Sequence, residues 1–204
     1  MQQSLKGKSD VDDWLERRDE LGIYQPILTE RLILREFKED DWNKIYSYLS
    51  DCEVQKYMIQ DVASLDQTKS YAQMFLKHMH EEPRKYVRFA VLLKEDSQLI
   101  GECGINMPNV QHYEGEIVYR FAKAYWRKGY ASEVVKRMLS FGFEELKLHR
   151  IEALCDVRNT ASIRVLEKAG MTIEGCMREH RFVKEYWRNS VLYSMLEQEF
   201  NKGS

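Results

Sequence analysis

Residues 125–134 read YWRKGYASEV: two cations, Arg127 and Lys128, stand directly before Gly129, and a run with helical spacing follows at once. A helix N-terminus carries main-chain N–H groups without intrahelical partners and a partial positive charge, so it favours an anion. For those amides to close on a bulky diphosphate the backbone must come near, and Gly129 and Ala131 leave the room. Arg127 and Lys128 add countercharge at the edge. The stretch therefore reads as a pyrophosphate cradle over Arg127, Lys128, Gly129, Tyr130, Ala131 and Ser132. It is neither a dinucleotide G-x-G-x-x-G nor a P-loop G-x-x-x-x-G-K-[ST].

Outward from the cradle, EGEIVYRF before it is strand-like, and ASEVVKRMLSFGFEEL after it keeps helical spacing. Upstream, YVRFAVLLK and QLIGECGINM alternate as strands and are joined by the turn-forming EDSQ, which predicts an antiparallel meander. Helices are expected near Asp40–Leu49 and Leu65–Glu82, the second opened by Ser64 and Gln67 at capping-box spacing. A first strand is expected from Ile27 to about Arg35. Downstream, RIEALCDV reads as a strand, SIRVLEKAG as a helix ending on Gly170, and two more strands are expected near Met171–Met177 and Ser190–Glu197. This order predicts an α+β fold with a mixed, mostly antiparallel sheet of about seven strands flanked by helices. Ahead of it, SDVDDWLERRDELG places Val11, Trp14, Leu15 and Leu21 on one stripe, with Ser9 and Asp12 as a capping start and Gly22 as a stop. Residues 1–26 thus read as an extension with a short amphipathic helix before a single domain over 27–204.

With 204 residues and 44% hydrophobic content the chain suits one domain with a full core. Lys and Arg number 31 against 33 Asp and Glu, a formal net charge of -2, so no global field draws it to nucleic acid or an anionic membrane. Cys52, Cys103, Cys155 and Cys176 form no C-x-x-C, so neither a metal site nor a disulfide framework is expected. No apolar run reaches the roughly 18 residues of a membrane span, and MQQSLKGKSD lacks a signal-peptide core. A cytoplasmic protein is the expectation.

Three ordered segments, EIVYRFAKAYWRKGYASEVV, DVRNTASIRVLEKAGMTIEGCMRE and VLYSMLEQEF, resemble the RimJ/RimL branch of the GNAT N-acetyltransferases. The resemblance covers roughly Leu28 to Phe200. The family signature Q/R-x-x-G-x-G/A is met by Gly129 and Ala131, while Trp126 stands for the usual Gln or Arg and Arg127 fills a slot that is often glycine. The resemblance implies the GNAT fold and acetyl-CoA as cosubstrate, its pyrophosphate on Arg127 to Ser132. It further implies that the EIVYRF and RIEALCDV strands splay, with the cofactor arm against the strand end near Phe121.

Acetyl transfer to an amine needs a neutral nitrogen, donors for the tetrahedral oxyanion and a proton for the leaving thiolate. A lysine-type amine of pKa about 10.4 costs roughly 4.6 kcal/mol to neutralise at pH 7, an α-amine of about 7.8 roughly 1.1. By resemblance Glu116, opening EIVYRF, is the candidate base; it also reads as a solvated carboxylate at a strand start. The branch's own acid slot holds Arg181, with Glu179 two residues earlier. The tyrosine that many family members use against the thiolate is Leu166 here, which leaves the hydroxyl of Ser162. Asn159 matches a residue that bonds the cofactor arm and equally reads as an ordinary N-cap. Direct transfer to an amine acceptor is implied, with a protein N-terminus favoured over a small molecule such as an antibiotic, polyamine or amino-acid conjugate. A CoA-binding module without turnover is the alternative outside catalysis, and a monomer and a homodimer are both compatible with the sequence.

Overall fold

A computed structural model of the chain describes residues 24–202. The expected amphipathic helix with Trp14 and Leu15 lies outside the described residues, as does the rest of residues 1–23.

Eight strands form one sheet, in the order β1-β2-β3-β4-β5-β6-β8-β7. They are β1 (Ile27–Leu28), β2 (Leu32–Glu36), β3 (Tyr86–Leu93), β4 (Leu99–Asn106), β5 (Glu114–Phe121), β6 (Arg150–Asp156), β7 (Thr172–Val183) and β8 (Tyr186–Leu196). The helices are α1 (Trp42–Leu49), α2 (Cys52–Gln55), α3 (Leu65–His78), α4 (Tyr130–Ser140), α5 (Thr160–Lys168) and α6 (Glu197–Phe200). Every neighbouring pair of strands is antiparallel except β5 and β6, which run parallel.

The meander of β3, β4 and β5 is as the sequence predicts. The Ser64 hydroxyl accepts the Gln67 amide at 3.2 Å and Gln67 Oε1 accepts the Ser64 amide at 2.8 Å, the reciprocal box expected for α3. Three expectations change. The single strand over Ile27–Arg35 is two, because the Thr29 amide and hydroxyl both engage the main chain of Leu32 at 3.0 Å and fold the chain back. That raises the strand count from about seven to eight. The final two strands are longer than expected, because Lys184 and Glu185 take φ of 50° and 64° and make the two-residue turn that Asn-Gly usually signals. The helix begun at Tyr130 widens into a π segment over Phe141–Glu145, which buries Phe141, Gly142 and Phe143 together. A Cβ on Gly142 would lie 2.4 Å from Ile151, so that turn rests directly on β6.

Alternation on the central strands feeds a layer of side chains on each face. Val87, Phe89 and Val91 of β3 join Ile105, Ile117, Val134, Val135, Met138 and Leu139 on the α4 face. Ala90 and Leu92 join Ile45, Tyr48, Leu49, Ala72 and Phe75 on the face of α1 and α3. One ion pair is sealed inside: Arg84, 1% exposed, meets both oxygens of Glu36, 6% exposed, at 2.5 and 2.8 Å. Removing one member strands a charge in low dielectric. Arg84→Ala is expected to lower stability by about 3–5 kcal/mol, read from urea unfolding.

Candidate active site

The cradle forms as its residues dictate. Gly129 is the N-cap of α4 with φ of 84°, and Arg127, in the slot that family members often fill with glycine, also takes a left-handed φ of 60°. That double turn aims the amides of Tyr130, Ala131 and Ser132 outward, since the first intrahelical bond runs from the Glu133 amide to the Gly129 carbonyl at 3.1 Å. The left-handed torsion at Gly129 disfavours any side chain, and a Cβ there would also press on Arg31 Nη2 at 3.2 Å. Trp126 is structural: its indole N–H donates to the Phe121 carbonyl at 2.8 Å and ties the end of β5 to the cradle.

A brace behind the cradle was not legible in the sequence. Glu133, in the first turn of α4, accepts from the Thr29 hydroxyl at 2.6 Å, the Arg31 amide at 2.8 Å and Arg31 Nε at 2.8 Å. Arg31 in turn donates to the Lys128 carbonyl at 2.9 Å and lies over the Tyr130 ring at 4.6 Å. The β1–β2 turn thereby grips the cradle from outside. A carboxylate in the first turn of a helix offsets the helix dipole, and Glu133 also anchors a segment about a hundred residues away.

The parallel pairing of β5 with β6 spans only Glu114↔Arg150, Gly115↔Ile151 and Glu116↔Glu152. Beyond it β5 stays on β4 and β6 stays on β8, so the two strands part, as the resemblance implied. A cleft of about 670 Å³ opens at this fork. Phe121, Arg127, Gly129, Ala131, Ser132, Asn159 and Ser162 all line it. Ser162 Oγ is 2.7 Å from Tyr119 Oη, whose pKa burial pushes well up, so the phenol keeps its proton at neutral pH. Leu166 is buried and points no hydroxyl at the cleft; the nearby phenol comes from β5 instead. Asn159 Oδ1 caps α5 by accepting the Ser162 amide at 3.1 Å, which leaves its amide nitrogen for the cleft.

Four candidates do not line the cleft. The Lys128 ammonium lies 5.2 Å over the Tyr125 ring, and the Tyr130 ring is under Arg31, so both contribute main chain alone. Glu116 is the last paired residue before the fork, with Asn106 Nδ2 at 3.4 Å, and Glu179 belongs to a separate hollow with Arg178 and Asn189. Sequence reading missed the cations Arg164 and Lys168, which line the cleft from one side of α5; their four-residue spacing was the available signal. It also missed the opposite wall, Glu53, Val54, Tyr57 and Met58. That wall is held by the β7–β8 hairpin, where Lys184 Nζ donates to the Gln55 carbonyl at 2.7 Å and Arg188 Nη1 to the Tyr57 carbonyl at 3.3 Å.

Burial pushes the Glu133 carboxyl up, but the hydrogen bonds from Thr29 and Arg31 outweigh it and hold the pKa below the usual carboxylate range. A folded-state pKa below the unfolded one means that the brace contributes fully above the unfolded value of about 4.3 and is lost as pH falls through the folded one. Glu133→Gln is expected to cost about 1–2 kcal/mol between pH 6 and 8, with the gap from the unsubstituted protein closing below about pH 4 in denaturant titrations.

Comparison with known proteins places this geometry. The acetyltransferase (GNAT) domain model matches residues 31–172. The "uncharacterized N-acetyltransferase p20" of Bacillus licheniformis is 34% identical over 177 residues, 86% of this chain and 98% of that protein. The crystal structure of a GNAT-family acetyltransferase from Bacillus anthracis, 34% identical, superposes with a TM-score of 0.77 over 86% of this chain and 100% of its own. Two more distant structures share the fold: a spermidine N-acetyltransferase from Vibrio cholerae in complex with CoA and spermine, 23% identical, TM-score 0.73, covering 83% and 98%, and a ribosomal-protein-S5-alanine acetyltransferase from Vibrio fischeri, 20% identical, TM-score 0.73, covering 86% and 98%. With the sheet, the fork and the glycine cradle all present, the chain belongs to the GNAT acetyltransferase family.

Proposed function

We propose that this N-acetyltransferase moves the acetyl group of acetyl-CoA directly to an α-amine, a protein N-terminus first among the candidates, in the manner of the RimJ/RimL branch. The observation that carries the reading is one cleft at one fork, joining the outward amides of Tyr130, Ala131 and Ser132 to the Ser162–Tyr119 hydroxyl pair. Acetyl-CoA supplies a thioester carbonyl for the amine to attack. Arg127 and the α4 amides receive its pyrophosphate, Arg164 and Lys168 add charge farther along the cleft, and the unpaired edge of β5 near Phe121 takes the arm. Ser162 Oγ gives a proton toward the departing sulfur and is resupplied by the Tyr119 phenol at 2.7 Å. Glu116, at the fork, takes the amine proton through water.

Charge supports this acceptor class. The spermidine and ribosomal-protein enzymes of the same fold are named for different acceptors. Here the cleft is lined by Arg120, Arg127, Arg164 and Lys168 against one carboxylate, Glu53. A polycation gains little from such a wall. A single α-amine also needs only about 1.1 kcal/mol for deprotonation at pH 7, which suits a base that stands back from the cleft. The Ser162–Tyr119 pair restores the hydroxyl that Leu166 withholds, and this favours turnover over a CoA-binding module.

Acetyl-CoA with a panel of N-terminal peptides, amino-acid amides and polyamines, followed by free thiol and product mass, is the test; no product and no acetyl-CoA binding sinks the reading. In that assay Ser162→Ala is expected to lower kcat about 10- to 100-fold with the acetyl-CoA Kd nearly unchanged. Gly129→Glu is expected to abolish acetyl-CoA binding by calorimetry, whereas Arg127→Ala weakens it about three- to tenfold; equal effects would show that side chains and not amides hold the pyrophosphate.

A further inference from the structure

Arg120 is held differently from the arginines that pair closely with carboxylates in this molecule. Where Arg and a carboxylate serve the fold here, they close to two-pronged contact: Arg84 on Glu36 at 2.5 and 2.8 Å, Arg35 on Asp41 at 2.7 and 2.8 Å. Arg120 stands off from Glu102, with Nε 3.7 Å from Oε1. Its Nε is buried without a hydrogen-bond partner, and its guanidinium bonds no described residue, although the side chain is only 11% exposed. Glu102 does not need it for satisfaction. Tyr71 Oη donates to Glu102 Oε1 at 2.8 Å and Tyr48 Oη to Oε2 at 3.2 Å, and burial raises the pKa of both phenols so that they remain donors. The Tyr71 ring flanks the guanidinium at 5.9 Å.

A guanidinium withdrawn from water with its donors unused is costly unless a ligand takes them. Strand alternation tells where that ligand would lie. Tyr119 and Arg120 are adjacent on β5 and face opposite sides of the sheet: Tyr119 reaches Ser162 on the α5 side, and Arg120 reaches Glu102, Tyr48 and Tyr71 on the side of α1 and α3. The cleft passes both, and on the Arg120 side its wall is Glu53, Val54, Tyr57 and Met58. The Ser162 side is the one the cradle and α5 serve, which leaves the Arg120 side for the acceptor.

We propose that Arg120, oriented by Glu102 but not bonded by it, binds the carbonyl or carboxylate oxygen of an acceptor whose amine is on the adjacent carbon. The recognised chemistry is therefore an α-amino carbonyl group, as in a peptide N-terminus or a free amino acid. The proposal rests on the acetyl-CoA reading above and adds the group that selects the acceptor. A polyamine has no such oxygen and brings a second cation toward a buried one.

The test compares acceptors that carry the oxygen, alaninamide, dialanine and alanine, with one that lacks it, isobutylamine, on the full chain with acetyl-CoA. Taking each acceptor's kcat/KM ratio between the unsubstituted protein and Arg120→Gln cancels the differing amine pKa values. The carbonyl-bearing acceptors are expected to lose about 10- to 100-fold more than isobutylamine, carried by acceptor KM with the KM for acetyl-CoA within about twofold. Preference for dialanine and alaninamide over alanine assigns a peptide N-terminus, and the reverse assigns a free amino acid; both retain the α-amino carbonyl. Equal losses on all acceptors, or better turnover of isobutylamine or spermidine than of alaninamide by the unsubstituted protein, overturn the proposal and leave the acetyl-CoA reading standing. No turnover and no acetyl-CoA binding overturn both. Where Arg120→Gln fails to fold, the CoA-loaded unsubstituted protein decides: alaninamide raises Tm and isobutylamine at equal concentration does not, or the proposal falls.

Discussion

The site depends on one break in the β-ladder: β5 and β6 start side by side in parallel, but they share only three residue pairs before they part. Past Glu116 and Glu152, where their own pairing stops, β5 stays paired to β4 as far as Phe121 and β6 to β8 as far as Asp156. Main-chain groups past that point have no strand to satisfy them. An extended ligand arm can take the vacant position, and the helix that follows β5 begins where the arm would end. Fork and cradle are therefore one device. The fork sets the line of approach and Gly129 sets the distance of closest approach.

Around this device the molecule uses contacts remote in sequence to fix elements that are weak locally. The cradle holds a non-glycine residue, Arg127, in a left-handed conformation, which costs about a kilocalorie. Arg31 binding the Lys128 carbonyl, with Glu133 binding Arg31, offsets that cost from outside. Cations also stand at different places along the cleft: Arg127 beside the cradle, Arg164 and Lys168 on α5, and Arg120 on the face of β5 opposite Tyr119.

Much of this was legible, and what was not has identifiable causes. Gly129 and Ala131 announced the cradle because a close approach needs small residues, and the capping box at Ser64 announced α3 because it is local chemistry. The hairpin turn at Lys184–Glu185 gave no signal, since neither residue favours positive φ and the turn is imposed by strand pairing on both sides. Thr29 hid a turn inside a run of strand formers. The roles of Arg31 and Arg120 were invisible for a different reason: each depends on a partner, Glu133 or Glu102, whose proximity exists only once the sheet and helices assemble. Tyr119 could be placed on a strand, but the hydroxyl it meets is on a helix 43 residues later.

The clamp between the β7–β8 hairpin and the segment after α2 has a consequence for how the enzyme can change. Lys184 and Arg188 grasp that segment by the carbonyls of Gln55 and Tyr57, and the one side chain that Lys184 also approaches, Asp61 at 3.7 Å, is not part of the wall. The cleft wall opposite α5 is thus fastened by a part of the chain that does not read what the wall is made of. Glu53, Tyr57 and Met58, unlike the core residue Val54, can be exchanged while the fastening persists, so under the proposal above acceptor preference can drift through these three positions without disturbing the cradle or the fork.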